Sequence, residues 1–440
     1  MRKQNSKTGR PRKVIRQGKA KVTFSGKNVT AHAGMALVAH AMEAFELRRR
    51  FTDIFRDLDS TARRDTAGML EQLIALRLMG GEAVSDMAIF NDKALRALFD
   101  WDEVSHGSTF GRRLKRFNWQ HNLRLQQVLG NLYRRLGVKA KRLLAVDSTV
   151  VTVFGEPEGA QRGYNPHKPG RLSYHPLLAV DVHARSVIDG YLRPGDVSSS
   201  NGLDGFIRRI VADVPSEPEQ IVFRLDKGLC SGQVLDTIEE LHCGYVAKFK
   251  LTQRVAARIS KISKWRSIGN GIFAANFRYQ PRGWKRPRRF VVIERNQVPR
   301  KDPIQLQLFD LMQGRYEVIC TNQRLKAENI WRLYNQGAVV EQVIDELKND
   351  LSATGIRTTS FWANDALFIT GLIAYNLLNC IRRMALTKTY RTARIKRLSL
   401  LFFQIGANVV RRSRGLWIKI RRDYPFRLLF YRAFAALSAA

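Results

Sequence analysis

Apolar and polar positions recur with different periods in different parts of the chain. From Gly34 to Gly137 the spacing is helical: Leu37, Ala41, Ala44 and Phe45 open the pattern, and Met69, Leu70, Leu73, Ile74 and Leu76 continue it. At Leu143 it gives way to a β-branched run, LLAVDSTVVTVFG, which reads as a buried strand. Strands at 176–182 and 186–192, a helix at 203–214, a strand at 220–226, a helix at 233–242 and a strand at 245–250 follow. That order predicts a mixed α/β sheet. Residues 251–325 hold short alternating runs and the basic knot PRGWKRPRR, which read as a mostly β insertion. The stretch 331–350, WRLYNQGAVVEQVIDELKND, reads as one helix. Val340, Val343, Ile344, Leu347 and Leu351 make its apolar face, and Tyr334, Glu341 and Lys348, seven residues apart, line up beside that face. Residues 364–384 read as a buried helix.

The organisation expected is a basic disordered arm (1–30), a helical DNA-binding region (31–140), a first part of an α/β core (141–250), a β-rich insertion (251–325), a second part of the core with the Glu helix (326–385) and a basic helical tail (386–440). The arm carries ten Lys and Arg and no acid, with too little apolar surface to order by itself.

Charge sharpens this picture. Against 38 Asp and Glu stand 75 Lys and Arg, a net charge of +37 spread along the chain. A polyanion partner follows, with nucleic acid ahead of an anionic membrane surface. The longest apolar run, 366–381, is short for a span and contains Asn376 and Asn379, so no membrane role is expected. Cys230, Cys243, Cys320 and Cys380 form no CxxC pair, which argues against a zinc site or a disulfide framework. A reducing, cytoplasmic setting is the expectation, since the basic N-terminus has no apolar secretory core.

Candidate chemistry centres on three acids. Asp147 lies inside an apolar strand, where a lone carboxylate is costly unless paired or bound to metal. Asp226 ends a second strand, IVFRLD, and strand ends are where α/β sites are built. Glu341 lies on a helix able to pack beside that sheet edge. Such a set suits two Mg²⁺ or Mn²⁺ ions, which take oxygen ligands and leave positions for substrate phosphate. Asp147 would bridge both ions, and Asp226 and Glu341 would each hold one. The run HGSTFGRRLKRF (106–117) predicts a capped helix presenting Arg112, Arg113, Lys115 and Arg116 to DNA. Trp284, flanked by Arg282, Lys285 and Arg286, is a candidate for stacking on an unpaired base, with Trp265 behind it. His167 and His175 read as structural or phosphate-facing.

The order Asp147, Asp226, Glu341 resembles the DDE transposases of RNase H-like fold, and more narrowly the IS4-related group that includes the IS1380 insertion-sequence transposases. The group signature Y-x2-R-x3-E-x6-K falls on Tyr334, Glu341 and Lys348. GYNPHKPGRLSYHPLLAV (163–180) and RLDKG around Asp226 are similar to the group's segments as well. The resemblance implies terminal-inverted-repeat cleavage and cut-and-paste strand transfer by a homodimer in a synaptic complex on the bacterial nucleoid. It also implies that Tyr334 and Lys348 contact DNA phosphate. Two positions depart from the pattern: the signature Arg falls on Gly337, with Arg332 the candidate replacement, and Lys227 follows the second acid where Ser is usual. The alternatives are an RNase H-like nuclease and a catalytically inactive DNA-binding relic.

Overall fold

The computed structural model describes residues 15–17, 20–22, 25–59, 65–136, 141–166, 168–198, 200–295, 315–355, 358–413 and 415–438. A nine-stranded mixed sheet runs through it. Its strands are β1 (Arg142–Ser148), β2 (Leu177–Asp181), β3 (Ser186–Tyr191), β4 (Ile221–Leu225), β5 (Gly244–Lys248), β6 (Arg266–Gly269), β7 (Ile272–Tyr279), β8 (Arg288–Arg295) and β9 (Tyr316–Thr321). Their spatial order is β6–β7–β8–β9–β5–β4–β1–β2–β3. Only β1, β4 and β5 pair in parallel; the other neighbours are antiparallel. Those three are almost wholly buried, which suits strands covered on both faces and explains their near-continuous apolar runs. The helix Gly232–Glu240 makes the crossover from β4 to β5 that parallel neighbours require.

The helix Phe361–Ala385 is the axis of the core, buried along most of its length between the front-end helix Trp119–Arg135 and the sheet edge β3. Several of its buried polar residues are hydrogen-bonded to neighbouring elements. Asn376 accepts from the Ser186 hydroxyl (2.7 Å) and the Val187 N–H (2.9 Å) and donates to the Val187 carbonyl (2.7 Å), which closes the edge strand. Arg77, buried in the helix Thr66–Leu78, donates to the Leu367 carbonyl at 2.7 Å and ties the front end to the axis. Among the described residues no helix is long and apolar enough to cross a membrane.

Four expectations change. Strands β6 to β9 do not stand apart as an insertion: β9 pairs with β5, so they extend the main sheet, and the segment also holds the helix Gln253–Ile259. The stretch 331–350 is two helices, Ala327–Gln336 and Val339–Asn349, broken at Gly337 and Ala338. The tail beyond 386 is not all helix. Ala407–Arg412 pairs with Gly415–Ile420, whose alternating GLWIKI suits a half-exposed strand, and on its other side with Val29–Thr30. In the expected disordered arm, Ile15–Gln17 pairs with Ala20–Val22; residues 1–14, 18–19 and 23–24 lie outside the described residues.

Candidate active site

Register sets the site. Val146 of β1 is opposite Leu225 of β4, and Leu225 is opposite Ala247 of β5. One residue further on, Asp147, Asp226 and Lys248 therefore come side by side at the carboxyl ends of three parallel strands, where the chain leaves the sheet. Arg224, two residues before Asp226, shares its face. The paired helices close over that face. Ala327–Gln336 brings Tyr334; Val339–Asn349 brings Glu341 in its first turn and Lys348 in its last. Asp147, Arg224, Asp226, Lys248, Tyr334 and Glu341 line one cavity of about 310 Å³.

Burial pushes the Asp147 carboxyl up to about 6; the Ser148 N–H (2.7 Å) and Arg224 oppose that shift, and the charges of Asp226 and Glu341 add to it. Glu341 is exposed, with Arg224 Nη2 at 3.8 Å. The Tyr334 hydroxyl donates to Asp226 Oδ1 at 3.2 Å, while its ring lies 4.7 Å from the Arg224 guanidinium and 5.8 Å from Lys248 Nζ. Burial raises that phenol well above its usual range. Lys348 donates to the Thr149 hydroxyl and to the Val150 carbonyl; burial lowers its pKa and the Asp147 charge opposes.

The three acids predicted from sequence are thus brought to one cavity. Tyr334 is there too, yet its hydroxyl is turned to Asp226 rather than outward, because the break at 337 separates it from the Glu341 stripe. Arg332 is exposed and does not line the cavity. Arg112, Lys115 and Arg116 are exposed, and the first two line a second groove with Phe154 and Thr358. Arg113 departs from expectation. With Phe110 and Leu114 it falls on the buried side of the helix Gly107–Leu114, pairs with Asp59, and donates to the Thr66 hydroxyl (2.8 Å) and the Leu58 carbonyl (2.5 Å). Trp284 is half-buried against Phe249, with Arg288 5.0 Å from its ring, so it packs on the sheet instead of standing free for a base. Trp265 likewise donates its indole N–H to the Ile262 carbonyl. His175 is buried beside the Val197 carbonyl, and burial lowers its pKa. His167 lies outside the described residues.

Arg224 and Lys248 were not anticipated. Both carried a signal: Arg224 is a charge inside an apolar strand, two residues from an acid, and Lys248 stands near the end of its strand as Asp226 does. The donor chemistry of the cavity suits a hard divalent cation, since the acids offer only carboxylate oxygens. Its spacing is open: among the described residues no three His, Cys, Asp or Glu gather closely enough to hold a metal ion.

A mixed sheet with two acids on adjacent parallel strand ends and a third on a covering helix has the makings of a carboxylate-centred enzyme. The family shown is more particular: the description "Transposase DDE domain group 1" matches residues 12–440, and the chain belongs to that family. Among solved structures it is similar to the piggyBac transposase in a synaptic complex with hairpin DNA, studied by cryo-EM, at 12% identity and a TM-score of 0.42, covering 85% of this chain and 80% of that one. No match is found among the curated proteins.

Proposed function

We propose that this chain is a cut-and-paste DDE transposase with an RNase H-like core, of the IS4-related group that includes the IS1380 elements, acting at terminal inverted repeats. The convergence of Asp147, Asp226 and Glu341 on one cavity carries this reading. The net charge of +37 supports a DNA partner. A homodimeric synaptic complex in the bacterial cytoplasm, at the nucleoid, completes the proposal.

Asp147, Asp226 and Glu341 would hold Mg²⁺ or Mn²⁺, which supplies activation of the attacking oxygen and stabilisation of the leaving 3′-oxygen. The remaining roles belong to the chain. Tyr334 orients Asp226 through its hydroxyl. Lys348, fixed by Thr149 and Val150, sets an ammonium beside Asp147. Arg112 and Lys115 offer phosphate contacts on the flank.

The decisive experiment is strand cleavage of a duplex carrying the repeats that flank the gene, comparing the wild type with Glu341→Ala in Mg²⁺ and in EDTA. Metal-dependent nicking at the repeat boundary, lost in the variant, is the expected result. Binding without cleavage, alike in both proteins, would overturn the enzyme and leave a DNA-binding relic.

A further inference from the structure

Arg224 is a buried arginine in the middle of the sheet, and the residue packed on it has no side chain. Its guanidinium reaches the carboxylate cavity on the face it shares with Asp226, with Nη2 3.8 Å from Glu341 Oε1 and the Tyr334 ring 4.7 Å away. Gly337, at the break between the two covering helices, leaves the room for it. A Cβ on residue 337 would stand 2.8 Å from both Cγ and Cδ of Arg224 and 2.9 Å from its Nε. The φ of Gly337 is −69°, open to any residue, so space and not backbone freedom requires the glycine. Arg224 Nε is buried and makes no hydrogen bond among the described residues. Charge and ring contact hold this guanidinium, not a closed network. A buried cation so incompletely partnered is a poor stabilising device, and that points to a use.

We propose that Arg224 and Gly337 are a matched pair: the glycine admits a strand-borne guanidinium to the cavity, where it receives a DNA phosphate beside Asp147, Asp226 and Glu341. The proposal rests on the transposase reading and deepens it. The cation reaches the cavity from β4, beneath the break between the two covering helices. Its charge has two measurable consequences. It repels a divalent cation entering the cavity, and it attracts the phosphate of the strand to be cut.

Three variants test this: Arg224→Met, which keeps the aliphatic stem; Gly337→Ala, which crowds the guanidinium; and the double variant Arg224→Ala/Gly337→Arg, which returns a cation from the opposite wall. Thermal melts establish that each is folded. Mn²⁺ affinity of the DNA-free protein, read by electron paramagnetic resonance, should tighten about tenfold in Arg224→Met and less in Gly337→Ala, because a nearby positive charge is lost or displaced. Single-turnover cleavage of the repeat duplex should slow by about tenfold or more in both, and the double variant should recover part of each change. Mn²⁺ affinity and cleavage of Arg224→Met equal to wild type would overturn the role of Arg224. A wild-type-like Gly337→Ala beside an impaired Arg224→Met would overturn the pairing. If the wild type cleaves no DNA, the transposase reading falls, and the phosphate role with it; the Mn²⁺ series still reports whether Arg224 and Gly337 are coupled.

Discussion

Strand β1 carries a buried charge at its start and a half-buried one near its end, and the two are treated differently. Arg142 at its start pairs with Asp181 of β2 at 3.0 Å. Asp181 also accepts from the Tyr133 hydroxyl and from the N–H groups of His183 and Ala184, while Arg142 donates to the Ser216 hydroxyl. Both residues are fully enclosed. At the far end Asp147 accepts from the Ser148 N–H alone among the described hydrogen bonds and faces a cavity that Asp226, Glu317 and Glu341 also line. The first is a closed network in which each charge is answered inside the protein. The second is held only in part, and its remaining capacity is turned toward whatever enters. A buried charge marks function when its partners are left incomplete.

The sharpest way to break this comparison is to neutralise each acid in turn. Asp147→Asn should slow strand cleavage by about a thousandfold while the fold remains, because the proposed function gives this carboxylate to a metal ion. Asp181→Asn should do the reverse: it strands Arg142 without its counter-charge, costs about 3 kcal/mol in a denaturant titration, and leaves the cleavage rate of the folded fraction intact. If both variants lost stability alike, the distinction between closed and open charge would fail.

Next in size are the groups that position the open site. Tyr334→Phe removes only the bond to Asp226 and should lower the cleavage rate about tenfold with no change in melting temperature. A drop in DNA affinity instead, with the rate on bound DNA unchanged, would show the hydroxyl serving phosphate directly. Asp365 gives an intermediate case. It accepts from the Leu192 N–H and from Asn122, yet among the described residues no ion pair answers it, and burial raises its pKa to about 7. The folded chain keeps a proton that the unfolded chain releases near pH 4, so its contribution to stability falls as pH rises from about 4 to about 7 and is flat above. Asp365→Asn should flatten that part of the stability–pH profile measured by chemical denaturation. The smallest effects belong to the front-end helix. Arg112→Ala should weaken DNA binding a few-fold and reduce the salt slope by about one, whereas Arg113→Ala should lower the melting temperature and leave that slope alone.

What the chain discloses in advance follows the same division. Asp147, Asp226 and Glu341 were legible because a carboxylate in or beside an apolar strand needs a reason, and the α/β order was legible from the change of period at Leu143. The paired helices were not. Gly337 is a local stop signal, but its helical φ and the regular seven-residue spacing of Tyr334, Glu341 and Lys348 let the stretch be read as one helix. The extension of the sheet by β6 to β9 depends on β9 pairing with β5, a contact between residues 246–248 and 319–321 that no local pattern encodes. Arg113 was misjudged because a basic run was read by charge alone, although its spacing from Phe110 and Leu114 already assigns it to the inner side. In the tail, the alternation of GLWIKI was readable and outweighed by the basic, aromatic composition around it.

The pairing of Val29–Thr30 with Ala407–Arg412 has a consequence for biosynthesis. On the ribosome the three acids emerge at positions 147, 226 and 341, and the helix that braces the sheet edge emerges only after them, at Phe361–Ala385. The strand that fastens Val29 and Thr30 comes later still. A nascent chain therefore carries its basic front end long before it carries all three acids and the helix behind them, and contacts this distant in sequence form late. Closure of the small sheet around Val29 and Thr30 therefore waits until residues 407–412 have been made.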